Sequence, residues 1–250
     1  MDLTEYRASE LERTRIADLM DLVPGPMESV LDAGARDGFI SKLLTQHFSS
    51  VTALDLDLPQ IDDRRVKCVK GDVTRLQFPD ASFDLVLCAE VIEHIPPSLL
   101  AQVCDELSRV ASKFVLIGVP YKQDLRVGRT TCYTCGKKNP PWGHVNSFDE
   151  DRLIKLFPNC EPLKTSYVGR ADAGTNAASS LLMNWAGNPF GTYSQEEPCV
   201  HCGSKLKAPP TRTLRQKILT RTAHYAKEAQ ALFSQRHANW VHILFEKRPL

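Results

Sequence analysis

Long apolar runs are missing from these 250 residues, and no window approaches the roughly 18 uncharged residues that a membrane-crossing helix needs. The opening stretch, MDLTEYRASELERTR, has no apolar core either, so no signal peptide is expected. Net charge is nearly absent at +1, which argues against a chain that binds polyanions along its whole length. There is no internal repeat and no low-complexity tract, so solenoids and disordered tails are not expected. What remains is 42% hydrophobic and 24% charged, the make-up of an ordinary globular protein long enough to bury a core without staples. The eight cysteines fit buried thiols or metal ligands in a cytoplasmic chain better than disulfides.

The near-zero total hides two opposite halves. Residues 1–120 carry a net −8 and residues 121–250 a net +9. The cysteines divide as well. Cys68, Cys88, Cys104 and Cys160 are isolated, whereas Cys132/Cys135 and Cys199/Cys202 form two CxxC pairs.

Apolar periodicity predicts an amphipathic helix over residues 3–22, stopped by Pro24-Gly25-Pro26. Short apolar strands follow at 29–33, 51–55, 66–70, 83–89 and 113–119, with helices at 39–48 and 98–111. The link from Asp55 to Val66 is too short for a crossover helix. Continuous apolar strands alternating with helices indicate an α/β fold with a parallel sheet covered on both faces. Residues 121–147 and 169–211 read as loops, separated by a helix at 148–157, capped by Ser147, and a strand at 163–168. A long helix at 213–234 and a strand at 240–245 complete the chain. The expected organisation is an N-terminal helix (1–24) and one domain (25–250), with the CxxC pairs on insertions at about 121–147 and 169–211.

Three acids fall at the ends of three successive strands: Asp32 before the turn Gly34–Gly38, Asp55, and Asp72 in Lys70-Gly-Asp-Val73. That is where open α/β sheets bind ligands. An acid in the place of Asp55 suits a ribose, and one in the place of Asp72 suits an exocyclic amine. The dinucleotide fingerprint GxGxxG is absent, since residues 34–39 read GARDGF.

The runs DAGARDG, LDLD, GDV, FPDASFDLVLCAEVIEHI and VLIGVP, spread over about residues 25–160, together resemble class I S-adenosylmethionine-dependent methyltransferases. The resemblance is strongest to the "type 11" small-molecule and sugar enzymes. It implies a Rossmann-like seven-stranded sheet with an antiparallel last strand. It also implies a cofactor site made of Asp32, Gly34, Arg36 and Gly38 at the methionine side, Asp55 at the ribose, Asp72 and Val73 at the adenine, and Cys88, Ala89 and Glu90 beneath the methyl group. Arg36 stands where the family has a glycine. Its side chain either clamps the cofactor carboxylate or tightens the turn.

Cys132-Tyr-Thr-Cys135-Gly and Cys199-Val-His-Cys202-Gly are the same motif twice. Two such knuckles supply four thiolates, a closed set suited to structural Zn2+ that would pin both insertions. An iron–sulfur cluster, a redox pair and unbound thiols are the alternatives. His201, inside the second knuckle, is not needed as a ligand.

No motif fixes a general base. His94 follows the fourth strand and is a candidate base, with packing or substrate shaping as the plain alternative. His144 lies in the loop after the fifth and is a candidate for substrate contact, with a cap or a zinc-neighbour role as the alternative. Glu93 reads equally as a structural hydrogen-bonding residue. Asn139-Pro-Pro-Trp142 has the composition of an amine-methylating tetrad but lies beyond the fourth strand. The implied function is methyl transfer to a hydroxyl or amine of a small molecule, sugar or glycolipid. An RNA methyltransferase using the knuckles and the basic C-terminal helix, and a non-catalytic scaffold, are the alternatives. No membrane span is expected, and the sequence leaves oligomeric state open.

Overall fold

The computed structural model describes residues 7–171, 174–231, 233 and 236–248. They fall into two compact units. The first comprises the described residues within Asp2–Tyr121, Phe148–Gly169 and Ala238–Leu250; the second comprises those within Lys122–Ser147 and Arg170–His237.

The first unit is a seven-stranded sheet with helices on both faces. Its elements run α1 (Glu10–Asp21), β1 (Met27–Ala33), α2 (Phe39–Leu44), β2 (Phe48–Asp55), β3 (Val66–Lys70), β4 (Phe83–Ala89), α3 (Leu100–Val110) and β5 (Ala111–Pro120). Two short strands of the second unit follow, β6 (Thr130–Thr131) and β7 (Lys138–Asn139), before the chain returns with α4 (Glu150–Leu156) and β8 (Cys160–Val168). The second unit then adds α5 (Ala177–Trp185) and α6 (Leu214–Ala231), and β9 (Trp240–Lys247) closes the sheet.

Strand order is β3-β2-β1-β4-β5-β9-β8, with β1 to β5 parallel and β9 antiparallel to both of its neighbours. This matches the expected seven strands with an antiparallel last strand. Strand order reverses between β1 and β4, which opens a crevice at their carboxyl ends.

Alternation along the central strands sends successive apolar residues to opposite faces. Leu31, Val86, Cys88, Val115 and Ile117 pack with Leu107 of α3 and Leu153 of α4, whereas Val30, Leu85, Leu87 and Leu116 pack with Leu19 of α1 and Leu44 of α2. Both faces are therefore buried, and this is why the strands read as unbroken apolar runs.

The structure moves several boundaries. The helix expected over 39–48 ends at Leu44, because His47 closes a turn onto the Leu44 carbonyl (3.0 Å) and Phe48 already starts β2. The helix after Ser147 is capped by Asp149, whose carboxylate accepts from the Arg152 N–H at 2.9 Å. Helix α5 lies in a stretch read as loop. Its Asn176 cap accepts from the Ser179 N–H at 2.7 Å, and the Ser179 hydroxyl accepts from the Asn176 N–H at 3.1 Å. Residues 3–6 and Ser234, the outer ends of two expected helices, lie outside the described residues.

Candidate cofactor crevice and cysteine cluster

The chain leaves β1 through a turn that only a few backbone conformations allow. Gly34 has φ +89°, and a Cβ there would sit 2.2 Å from Val91 Cγ2. Gly38 also has positive φ (+75°) and forms the N-cap of α2, so both glycines are required where they stand. Arg36 occupies the same left-handed region at φ 51° without being glycine. The Gly34 and Ala35 N–H groups donate to the Leu54 carbonyl at 2.8 and 3.0 Å, which ties the turn to the end of β2.

Asp55 ends that strand. Its Oδ2 accepts the Arg36 N–H and its Oδ1 the Leu56 N–H, each at 2.7 Å. A carboxylate oxygen has two lone pairs, so each still has capacity for a ligand hydroxyl. Asp72 Oδ1 accepts the Thr74 N–H at 2.8 Å, while Val73 beside it is buried. Asp32 is deeper, 3% exposed, and accepts from the Ser41 hydroxyl at 2.5 Å. Burial pushes its carboxyl up to about 6, opposed by the Ser41 hydrogen bond and reinforced by the nearby negative Asp55. The three strand-end acids, the glycine turn and Cys88, Ala89 and Glu90 thus belong to one unit, at the carboxyl ends of β1, β2, β3 and β4. Cys88 is a buried thiol raised well above its usual range.

Glu90 holds a left-handed conformation (φ 58°) and its N–H donates to the Gly118 carbonyl at 2.9 Å, joining the ends of β4 and β5. Burial raises its carboxyl to about 6, with the Arg15 guanidinium pulling the other way. Glu93 is wholly buried. Neither carboxylate oxygen has a hydrogen-bond partner among the described residues, and burial raises it well above the usual carboxylate range. Among the described residues the Glu93 carboxyl makes no structural hydrogen bond of the kind the sequence suggested. His94 follows it in the turn after β4, its N–H donating to the Val91 carbonyl at 3.0 Å.

Sequence reading missed a group of polar side chains on α1. Glu12 and Arg15, both buried, form a two-pronged pair at 2.6 and 2.8 Å, and Arg15 stands 4.0 Å from Glu90. Asp18 accepts from the Ser166 hydroxyl at 2.5 Å and from His242 Nδ1 at 2.6 Å. Burial lowers His242, and the imidazole lowers Asp18 through that bond, which describes a neutral ring donating to a carboxylate. The three-residue spacing of Glu12, Arg15 and Asp18 beside Ile16 and Leu19 was the available signal: a polar stripe within an otherwise buried helix face.

In the second unit the two knuckles share the same glycine turn and two of the same backbone hydrogen bonds. Gly136 and Gly203 share φ +69°, and their N–H groups donate to the Cys132 and Cys199 carbonyls at 2.9 and 2.8 Å. The Cys132 and Cys199 N–H groups in turn donate to Lys137 and Ser204 carbonyls, both at 2.9 Å. Cys132 and Cys202 sulfurs are 3.7 Å apart, as are those of Cys135 and Cys199, and all four lie within 4.8 Å of one another. Four sulfurs tetrahedral about zinc at about 2.3 Å would be separated by about 3.8 Å, so the cluster fits such an ion. His201 Nε2 instead contacts the Lys138 carbonyl at 3.0 Å. His144 belongs to this unit, nearly buried, with Nδ1 at 2.6 Å from Gln123 Oε1; that contact places the proton on Nδ1. Trp142 of the Asn139-Pro-Pro-Trp142 run sits in a tight turn, its N–H donating to Gln195 Oε1 at 2.8 Å.

Residues 31–114 match a family model described as a methyltransferase domain. A ubiquinone biosynthesis O-methyltransferase of Paracidovorax citrulli is 26% identical over 117 residues, 42% of this chain and 49% of that protein. A malonyl-[acyl-carrier protein] O-methyltransferase of Herminiimonas arsenicoxydans is 35% identical over 101 residues, 38% of this chain and 37% of that protein. The chain thus spans less than half the length of these curated relatives. Among solved structures, the N-methyltransferase NodS of Bradyrhizobium japonicum, in complex with S-adenosyl-L-homocysteine, aligns with TM-score 0.57 and 11% identity, covering 99% of this chain and 93% of that one. Among the described residues no helix is long and apolar enough to cross a membrane. By sequence, residues 31–114 match a methyltransferase-domain model, and the chain shares the Rossmann-like α/β fold of the solved NodS methyltransferase.

Proposed function

We propose that this protein is an S-adenosylmethionine-dependent methyltransferase acting on a hydroxyl or amine of a small molecule, sugar or glycolipid. The observation that carries the reading is Asp55, fixed at the end of β2 by two backbone N–H groups, with one lone pair on each oxygen still available for vicinal ribose hydroxyls. Gly34 and Gly38 supply the left-handed backbone that shapes the preceding turn, and Asp72 with Val73 offers a polar edge and an apolar wall for adenine. Arg36 is assigned to the cofactor's carboxylate side. The O-methyltransferases among the relatives support oxygen as the acceptor atom.

When bound, S-adenosylmethionine supplies an electrophilic methyl group on a sulfonium. The chain's own residues must then place an acceptor in line with it and handle one proton. His94 is our candidate base and His144 our candidate for acceptor contact. The four cysteines are assigned to a structural Zn2+, whose closed ligand set has no open position for catalysis.

Incubating the full chain with methyl-labelled cofactor and separated small-molecule, sugar, lipid and RNA fractions tests the assignment. Label should enter a small-molecule, sugar or lipid fraction. Label confined to RNA would reassign the acceptor, and no transfer by protein that binds the cofactor would contradict the enzyme reading.

A further inference from the structure

The second unit contains a cavity of about 640 Å3 walled by α5, α6 and the segments around Gly128 and Phe190. Its size lies within the roughly 300–1,000 Å3 of pockets that take whole organic ligands. The charge around it is one-sided. Arg126, Arg129, Arg212, Lys217, Arg221 and Lys227 line it, and among the described residues no aspartate or glutamate does.

Arg126 is already neutralised by Asp124 at 2.7 Å. The other five cations have no ion-pair partner among the described residues. Helix physics argues against this arrangement as a mere stabilising surface. Lys217 and Arg221 are like charges one turn apart, and Lys217 lies near the amino end of α6, where the helix dipole disfavours cations. An anion held between them reverses both terms.

The cavity also has an apolar wall. Phe190 is 60% exposed, Met183 and Val127 line the same space, and the Arg212 guanidinium stacks over the Phe190 ring at 4.5 Å. A bare inorganic ion leaves that wall uncovered, whereas a phosphate joined to an apolar body uses both parts.

We propose that this cavity is a binding site for an organic phosphate or diphosphate, its phosphate held by Lys217, Arg221 and Arg129 and its carbon portion against Phe190 and Met183. The proposal does not rest on the methyl-transfer reading, which cofactor calorimetry tests separately. Two sources share this chemistry, a lipid-linked phosphate and a nucleotide.

Calorimetry on the full chain at moderate salt, with geranyl diphosphate, uridine diphosphate, inorganic pyrophosphate and a short single-stranded RNA, tests it. Geranyl or uridine diphosphate should bind at least about tenfold more tightly than pyrophosphate, and the tighter of the two names the source. Lys217→Glu combined with Arg221→Glu, at two exposed positions, should abolish that binding without lowering the melting temperature. Lys217→Arg combined with Arg221→Lys should retain most of it. Equal affinity for pyrophosphate would reduce the site to charge attraction and overturn the proposal. So would tighter binding of the RNA, or no heat with either organic diphosphate.

Discussion

The Arg36 backbone N–H donates to Asp55 Oδ2 at 2.7 Å, so the turn after β1 is locked to the end of β2 by the same carboxylate proposed to hold the ribose. Asp55→Ala therefore has a structural effect separate from any ligand. The Arg36 and Leu56 N–H groups lose their acceptor, which should cost about 0.5–1.5 kcal/mol, because water can replace it at this exposed edge. Urea denaturation measures this, and Asp55→Asn should recover part of the loss. A loss of several kcal/mol would mean that Asp55 does more for the fold than fasten this turn.

Gly34→Ala should be worse than Asp55→Ala. Its φ of +89° strains any side chain, and the new Cβ would meet Val91 Cγ2 at 2.2 Å. The expected loss is about 1–3 kcal/mol, part of it returned when Val91→Ala removes the clash. Full stability in the single variant would contradict the turn geometry.

Asp32 predicts a pH dependence. Its folded value of about 6 lies above the usual 3.8, so the folded protein holds this proton more tightly than the unfolded chain does. The stability from that proton is fully present below about pH 4 and is lost as pH rises through 6. Asp32→Asn cannot ionise, and its stability relative to wild type should increase between pH 5 and pH 8 by about 1.4 kcal/mol, the part of the loss that falls in that interval. Thermal denaturation at the two pH values measures it; a difference that does not change with pH would place the Asp32 carboxyl outside the account.

The cysteine cluster predicts about one zinc per chain in protein purified without chelator. Cys132→Ser with Cys199→Ser should remove the metal and make the knuckle segments readily cleaved by protease. Unchanged metal content would refute the site.

Much of the first unit was legible in the sequence because its signals are local. Strands 66–70 and 83–89 stand where apolar runs placed them; for 83–89 the reason is burial on both faces, which makes a strand recognisable without its neighbours. The knuckles were legible because each is a self-contained turn with fixed glycine chemistry. Helix α5 was not. Its sequence, AASSLLMNW, mixes small polar residues with Leu181 and Trp185, both exposed, and its start depends on the reciprocal Asn176–Ser179 cap. The Asp18–His242 contact joins residues 224 apart, and the Arg15–Glu90 approach likewise requires a folded sheet. Charged residues on a helix read as solvent-facing until the sheet that buries them is known.

Calorimetric titration of the wild-type chain and of Asp55→Ala with S-adenosylhomocysteine tests the methyltransferase reading most directly. The wild type should bind one equivalent, and folded Asp55→Ala should bind about 1–3 kcal/mol more weakly. No heat from correctly folded wild-type protein would contradict a cofactor site at the ends of β1 to β4, and equal affinity in the two proteins would remove Asp55 from it.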